Sequence, residues 1–337
     1  MNACWQFPPN SSPLELRTFG KTGLQVSTLG FGAANIGYTD ISEKILDRIF
    51  GQALDLGVNV IDTAAMYGDS EEKIGRALKE KRQRHLLFTK CGRCLPAKSS
   101  WAGFLLRAGR KIRKATGLEK EHESLAWHPG ALRQNIDQSL RRLKTTWVDL
   151  LQLHSCSLET LRKDEVLNVL RQAREQGKAR FIGYSGEGAA ALYAIRSGQF
   201  QAVQMSINIA DQYNLNTLLP LAIEQGMGII AKRPLANRLW KNSDRPDPVR
   251  YPQFQVYWER LQQLQYGFLT SSRAVETALR FTLSVPGVHT AITGTTNPEH
   301  LRENVIYSAV GALERASFDS IRSTWAKVAG PKWVGQL

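Results

Sequence analysis

Cysteine is scarce: there are four in 337 residues, at positions 4, 91, 94 and 156. So few exclude a disulfide scaffold and make a reduced, cytoplasmic protein the expectation. Cys91 and Cys94 form a CxxC, readable as a redox pair or as plain loop. No second CxxC and no paired histidine accompanies it, so no metal centre is expected. Long apolar runs are missing too. No stretch reaches the roughly 20 residues needed to cross a bilayer, so no membrane partner is expected. Residues 1–14, opening MNACWQFPPNSSP, have neither a basic start nor an apolar centre. They read as a flexible tail rather than a secretory signal.

Acidic charge is also short, with 30 Asp and Glu against 44 Lys and Arg and a formal net charge of +14. Such a field favours anionic ligands. The basic residues are spread along the chain, with one denser run from Arg107 to Lys120 that reads as a solvated surface helix. No zinc finger, RNP motif or aromatic-interleaved basic stretch accompanies it, which leaves no specific nucleic-acid partner. A small molecule is the expected partner.

What the chain does have is alternation. ELRTFGKTGLQVSTLGFG reads as a hairpin, turning at GKTG, that leads into a buried strand. Asp40 and Glu43 are spaced as a capping box before the helix ILDRIFGQAL. Strands NVIDTA, LLFTK, WVDLLQLH, ARFIGYS, AVQMS, MGIIAK and TAIT follow, each trailed by a helical segment. In one of these, Leu132, Ile136, Leu140 and Leu143 define a single apolar face. Gly177 is a suitable C-cap for another.

Eight β/α alternations predict a (β/α)8 TIM barrel of the α/β class, with an N-terminal β-hairpin. Long insertions after Lys90 and from Leu235 to about Thr270 place long loops on the C-terminal face. Residues 15–337 are expected to form one domain. The rival fold, a doubly wound sheet, needs a dinucleotide fingerprint. GEGAAA (Gly186 to Ala191) matches the pattern, but no acidic residue ends the following strand AVQMS, so the match reads as chance.

Barrels collect their chemistry where strands end. Asp62, Lys90 and His154 end three successive strands, and Tyr67 follows the first closely. A tyrosine ordinarily titrates near about 10, too high for efficient acid–base work. A neighbouring ammonium lowers such a value. A buried ammonium in turn needs a carboxylate. Tyr67, Lys90 and Asp62 supply those roles, and His154 can orient a substrate oxygen. The set suits protonation of a developing alkoxide in carbonyl reduction. None of these side chains carries hydride, so a cofactor is required. In TAITGTTNPEHLRENV, Gly294 gives backbone clearance after the last strand. Asn297 and Pro298 fit N-cap and first-turn positions, so the free N–H groups there suit phosphate.

From about Leu16 to Val310 the sequence resembles the aldo-keto reductase superfamily. The matching stretches are GKTGLQVSTLGFG, NVIDTAAMYGDSE, LLFTK, QSLRRLKTTWVDLLQLH, GKARFIGYS and ITGTTNPEHLRENV. The resemblance implies the barrel and a nicotinamide cofactor held without a Rossmann fold, NADP (NADPH) as a rule and NAD possible. It also implies a catalytic tetrad at Asp62, Tyr67, Lys90 and His154, with Tyr67 the proton donor. Family cofactor contacts map onto Ser185 and Gln204 at the carboxamide. They map onto Arg233 and Leu235 at the pyrophosphate, and onto Thr295, Glu303 and Asn304 at the adenosine end.

Three departures stand out. The usual Ser-Asn is Ser185-Gly186. Lys232 stands where many members stack an aromatic ring on the nicotinamide. Gly294-Thr295-Thr296 lacks the basic residue of NADPH-specific members, leaving His300 as the adenosine-side candidate. Lys232 or Arg233 is expected to compensate by binding diphosphate. The reading is an oxidoreductase that reduces aldehydes or ketones. The alternatives are a sugar or alcohol dehydrogenase, and a cofactor-binding regulatory module.

Overall fold

The computed structural model describes residues 14–79, 81–93, 127–247 and 252–337. Most of the tail, Cys4, Cys94 and the basic run Arg107–Lys120 lie outside these residues. Two short strands, β1 (Leu16–Thr18) and β2 (Gln25–Ser27), pair antiparallel as the expected hairpin. Eight more strands close a parallel barrel: β3 (Leu29–Gly32), β4 (Val60–Asp62), β5 (Leu86–Cys91), β6 (Val148–His154), β7 (Ala179–Ser185), β8 (Ala202–Ser206), β9 (Gly228–Lys232) and β10 (Thr290–Thr293). β10 returns to pair with β3.

The two-residue period of a strand explains how this barrel makes a site. Val60, Phe88, Leu150, Ala202 and Ile230 meet inside the barrel, over a hairpin that contributes Phe19, Leu24 and Val26. Two residues further along each strand, the same inward row turns polar: Asp62, Lys90, Gln152, Gln204 and Lys232. The alternate positions, such as Ile61, Leu87, Leu151, Val203 and Ile229, face the helical layer. One end of the barrel is thus an apolar plug and the other a polar floor. All-parallel sheets need both faces covered, and the helices do that here.

Three sequence expectations need correction or extension. The helix Glu43–Asp55 is capped by Ser42, whose side chain accepts from the Ile45 N–H, while Asp40 is exposed. A serine next to the first helical residue is closer to the orphan N–H groups than an aspartate two positions earlier. The insertion from Leu235 is not all loop: it holds a 3-10 segment, Ala236–Lys241, and a helix, Pro252–Leu264. A further helix, Arg315–Val328, follows the last alternation. Tyr257 and Leu261 of the first helix pack with Phe281, Ile321 and Trp325 into a second apolar core beside the barrel.

Candidate active site

Asp62 and Lys90 are the last inward residues of β4 and the penultimate residue of β5, and both are almost wholly buried. The Lys90 ammonium donates to Asp62 Oδ2 at 2.5 Å and to the Thr63 carbonyl at 2.9 Å. Gln152 Nε2 reaches the other Asp62 oxygen at 3.4 Å. Burial pulls the Lys90 ammonium toward deprotonation, but Asp62 and then Tyr67 more than offset it, so its pKa lies above the ordinary lysine value. The lysine therefore stays charged beneath the tyrosine, with its ammonium 5.1 Å from the Tyr67 ring centre.

Tyr67 is placed by a tight crossing of two chain segments. Gly68 sits at φ +57, in the left-handed region that glycine adopts freely. A side chain on Gly37 would fall 1.8 Å from the Tyr67 carbonyl, and one on Gly68 1.9 Å from the Gly37 carbonyl. The Ser70 hydroxyl ties this turn to the Ala33 carbonyl and to Thr63. Lys73 adds bonds to the Ile36 and Thr39 carbonyls. The result is a half-exposed tyrosine on a rigid base.

His154 ends β6 and meets Tyr67 edge to face, ring centres 5.6 Å apart. Burial, then the charges of Lys90, Arg93, Lys232 and Arg233, hold its pKa well below the usual histidine value. It is a neutral imidazole, and its Nδ1 is buried with no protein partner. A neutral ring with one N–H suits donation to a carbonyl oxygen without transfer of its own proton. The three strand-end residues Asp62, Lys90 and His154, and Tyr67 from the turn after β4, thus come together.

The expected cofactor residues divide. Ser185 is buried at the end of β7 and Gln204 at the middle of β8. Both amide atoms of Gln204 lack a protein partner, although the residue is 1% exposed. A buried amide with a free donor and a free acceptor can pair with an amide-like ligand. A nicotinamide carboxamide offers the matching acceptor and donor, so the residues present fit the cofactor.

Asn297 caps the helix Pro298–Ala309 with its side-chain oxygen on the Glu299 N–H at 3.0 Å. The Asn297 N–H in turn donates to Thr295 Oγ1. Asn304 is buried one turn into that helix, while Gly294 and Glu303 are exposed and His300 and Leu235 half-buried. Lys232 and Arg233 are both engaged within the protein. Lys232 pairs with Glu187 at 3.2 Å. Arg233, at φ +56, donates to the Gln336 carbonyl at 2.8 Å.

A second polar cluster escaped the sequence reading. Glu187, just past Gly186, is buried and accepts from the Ser206 N–H at 2.7 Å and from Asn214 at 2.6 Å. Asp211 accepts from Tyr257 and lies 3.7 Å from Arg260. Burial and the neighbouring Glu187 charge raise the Asp211 pKa, against the pull of Arg260. Burial lowers Lys232 to about 8, with Glu187 opposing and Arg233 reinforcing the shift. The available signal was an acidic residue in the loop that GEGAAA marked. Its GEG is a strand-to-helix turn on a barrel, ahead of the helix Gly188–Arg196, and not a dinucleotide fingerprint.

Cys91 and Cys156 are buried free thiols, and burial raises both pKa values, which makes them poor nucleophiles. Among the described residues no cluster of metal ligands occurs and no helix is long and apolar enough to cross a membrane.

The family model described as Aldo/keto reductase family matches residues 28–326. The chain belongs to that family of oxidoreductases, whose members use a nicotinamide cofactor. It is similar to the L-galactose dehydrogenase of Arabidopsis thaliana, 27% identical over 91% of this chain and 91% of that protein. It is also 27% identical to the NADH-specific methylglyoxal reductase of Escherichia coli, over 85% of this chain and 91% of that one. A solved aldo-keto reductase from Klebsiella pneumoniae, in complex with NADPH, shares the fold. Its TM-score is 0.68 at 19% identity, covering 96% of this chain and 99% of that one.

Proposed function

We propose that the protein is a nicotinamide-dependent reductase of small aldehydes or ketones, with Tyr67 as the proton donor. The observation that carries this reading is the buried Lys90–Asp62 pair beneath Tyr67, with a neutral His154 set edge-on to the same ring. A nicotinamide cofactor held by Ser185 and Gln204 would supply the hydride, which no protein side chain can. The protein's own residues hold and move the proton.

His154 donates a hydrogen bond to the carbonyl oxygen and aims it at Tyr67. Tyr67 passes its hydroxyl proton to that oxygen as negative charge develops there. The Lys90 ammonium lies close enough to stabilise the tyrosinate left behind. Asp62 keeps Lys90 charged in a site where burial alone would neutralise it. Ser185 and Gln204 would hold the carboxamide, and Thr295, Glu303, Asn304 and His300 the adenosine end. Lys232 brings a positive charge near the reacting end.

NADPH is the cofactor we favour, on the net positive charge and on the NADPH complex of the Klebsiella relative. The altered residues after β10, and the NADH-specific relative, keep NADH in the test. Titration of the purified protein with each dinucleotide, followed by tryptophan fluorescence, comes first. A panel of aldehydes and ketones with the tighter cofactor follows. The reading expects submillimolar binding of at least one dinucleotide and its oxidation by carbonyl compounds. Binding without turnover of any carbonyl or alcohol would favour a regulatory module instead.

A further inference from the structure

The last residues of the chain fold back onto the barrel mouth. The Gln336 carbonyl accepts from Arg233 at 2.8 Å and from the Ser206 hydroxyl at 2.9 Å. The Gln336 N–H donates to Asp211 Oδ2 at 3.0 Å. The Val334 carbonyl accepts from Arg260 Nη2 at 2.7 Å. Trp333 packs against Trp325 with ring centres 5.0 Å apart, and the Arg260 guanidinium lies 5.3 Å from the Trp333 ring centre. Gly335 lies so close to the cluster that a side chain there would fall 2.6 Å from Glu187 Oε2.

These contacts use main-chain groups to satisfy side chains buried behind β8 and β9. Arg260 and Asp211 are 2% and 0% exposed, so the bonds they make here have no solvent substitute. Ser206 lies two residues beyond Gln204 on the same inward row of β8, and pairs in register with Lys232. The docked segment leaves both amide atoms of Gln204 without a protein partner. The segment thus contacts Ser206 on that row without hydrogen-bonding the Gln204 amide.

We propose that the segment Trp333–Gln336 is a wall of the nicotinamide pocket, which positions the Arg233–Ser206 and Glu187–Lys232 pairs beside Gln204 and so sets dinucleotide affinity. This rests on the functional reading above. When the segment leaves, Arg233, Asp211 and Arg260 lose partners in a dry site. Water or rearranged side chains then reach Gln204, and binding weakens. Linkage requires the reverse as well: bound dinucleotide must hold the segment down.

The test uses the full-length protein and NADPH or NADH, whichever the wild type binds more tightly. Trypsin cleavage after Lys332 releases the segment and reports how often it undocks. Saturating dinucleotide should slow that release in the wild type. Gly335→Val, which drives a side chain into Glu187, should speed release and raise the dinucleotide Kd about tenfold, the scale of one lost charge-assisted hydrogen bond. Gly335→Val should change Kd far more than it changes urea unfolding measured without dinucleotide, a split that general destabilisation would not give. Leu337→Ser, an exposed position, is the control. Truncation after Lys332 gives the same readout where Gly335→Val does not fold.

An unchanged Kd with the segment released, or release indifferent to dinucleotide, overturns the inference and leaves the functional reading intact. Binding of neither dinucleotide by the wild type overturns the functional reading first.

Discussion

The two sides of the barrel mouth solve opposite problems. On the β4–β6 side the charges are few and paired: Lys90 has Asp62, and the turn that carries Tyr67 is pinned by Gly37, Gly68 and Ser70. On the β7–β9 side five charged groups crowd together, and the side-chain amide of Gln204 has no protein partner. The first side has its charges paired within the barrel, while His154 Nδ1 and Gln152 Oε1 stay without a protein partner. The second draws on the C-terminal segment to satisfy its charges. Proton chemistry needs a rigid, prepaid arrangement. Ligand binding needs unsatisfied polar groups that the ligand completes. On the function proposed above, chemistry falls to one side and recognition to the other.

Breaking the ion pair on the β4–β6 side should cost most. Asp62→Ala leaves the Lys90 ammonium buried without its carboxylate. We expect a loss of about 3–5 kcal/mol in urea unfolding, the usual result of breaking a buried ion pair, together with loss of turnover. Gly68→Ala strains the Tyr67 turn and meets the Gly37 carbonyl. It should cost about 1–3 kcal/mol and lower kcat more than it alters cofactor binding.

On the recognition side effects should be smaller and fall on affinity. Gln204→Ala removes the orphaned amide. It should weaken dinucleotide binding by about tenfold, with the Tyr67 chemistry unharmed at saturation.

Lys232 provides a pH test that sharpens the comparison. Its folded pKa of about 8 lies below the ordinary 10.5. Between those values the unfolded chain holds the proton and the folded chain does not. Folding stability therefore gains as pH rises through that window, while the cation near the reacting end disappears. Dinucleotide affinity should fall above pH about 8 in the wild type and stay flat in Lys232→Met. A parallel decline in both proteins would remove Lys232 from the site.

The smallest effect lies away from the mouth. Burial depresses His85 and His289 to about 4 each. Below about 6.5 the unfolded chain takes up protons before the folded one, so the melting temperature should begin to fall there and continue falling toward pH 4.

The same contrast separates what was legible in the sequence from what was not. Asp62, Lys90 and His154 end apolar runs, and strand periodicity with the barrel rule is enough to bring them together. Barrel order needs no more than a count of alternations. Glu187, Asp211 and Arg260 come from loops and from a helix inside an insertion, where no period fixes direction. Gln336 reaches them from the far end of the chain through main-chain atoms, which carry no residue-type signal. The helix Pro252–Leu264 was hidden because its apolar positions serve a second core outside the β/α repeat. Ser42 caps the helix although only Asp40 has a glutamate three residues on, because the cap is set by which oxygen lies nearest the free N–H groups, not by the box spacing.

The central claim is that Tyr67 delivers the proton above the buried Lys90–Asp62 pair. The most direct measurement compares wild type and Tyr67→Phe for dinucleotide Kd and for single-turnover oxidation of the bound reduced cofactor by a reactive aldehyde. The account predicts an unchanged Kd and a rate lowered by about 10²–10⁴-fold, the usual weight of a general acid. Oxidation at the wild-type rate by Tyr67→Phe would contradict it.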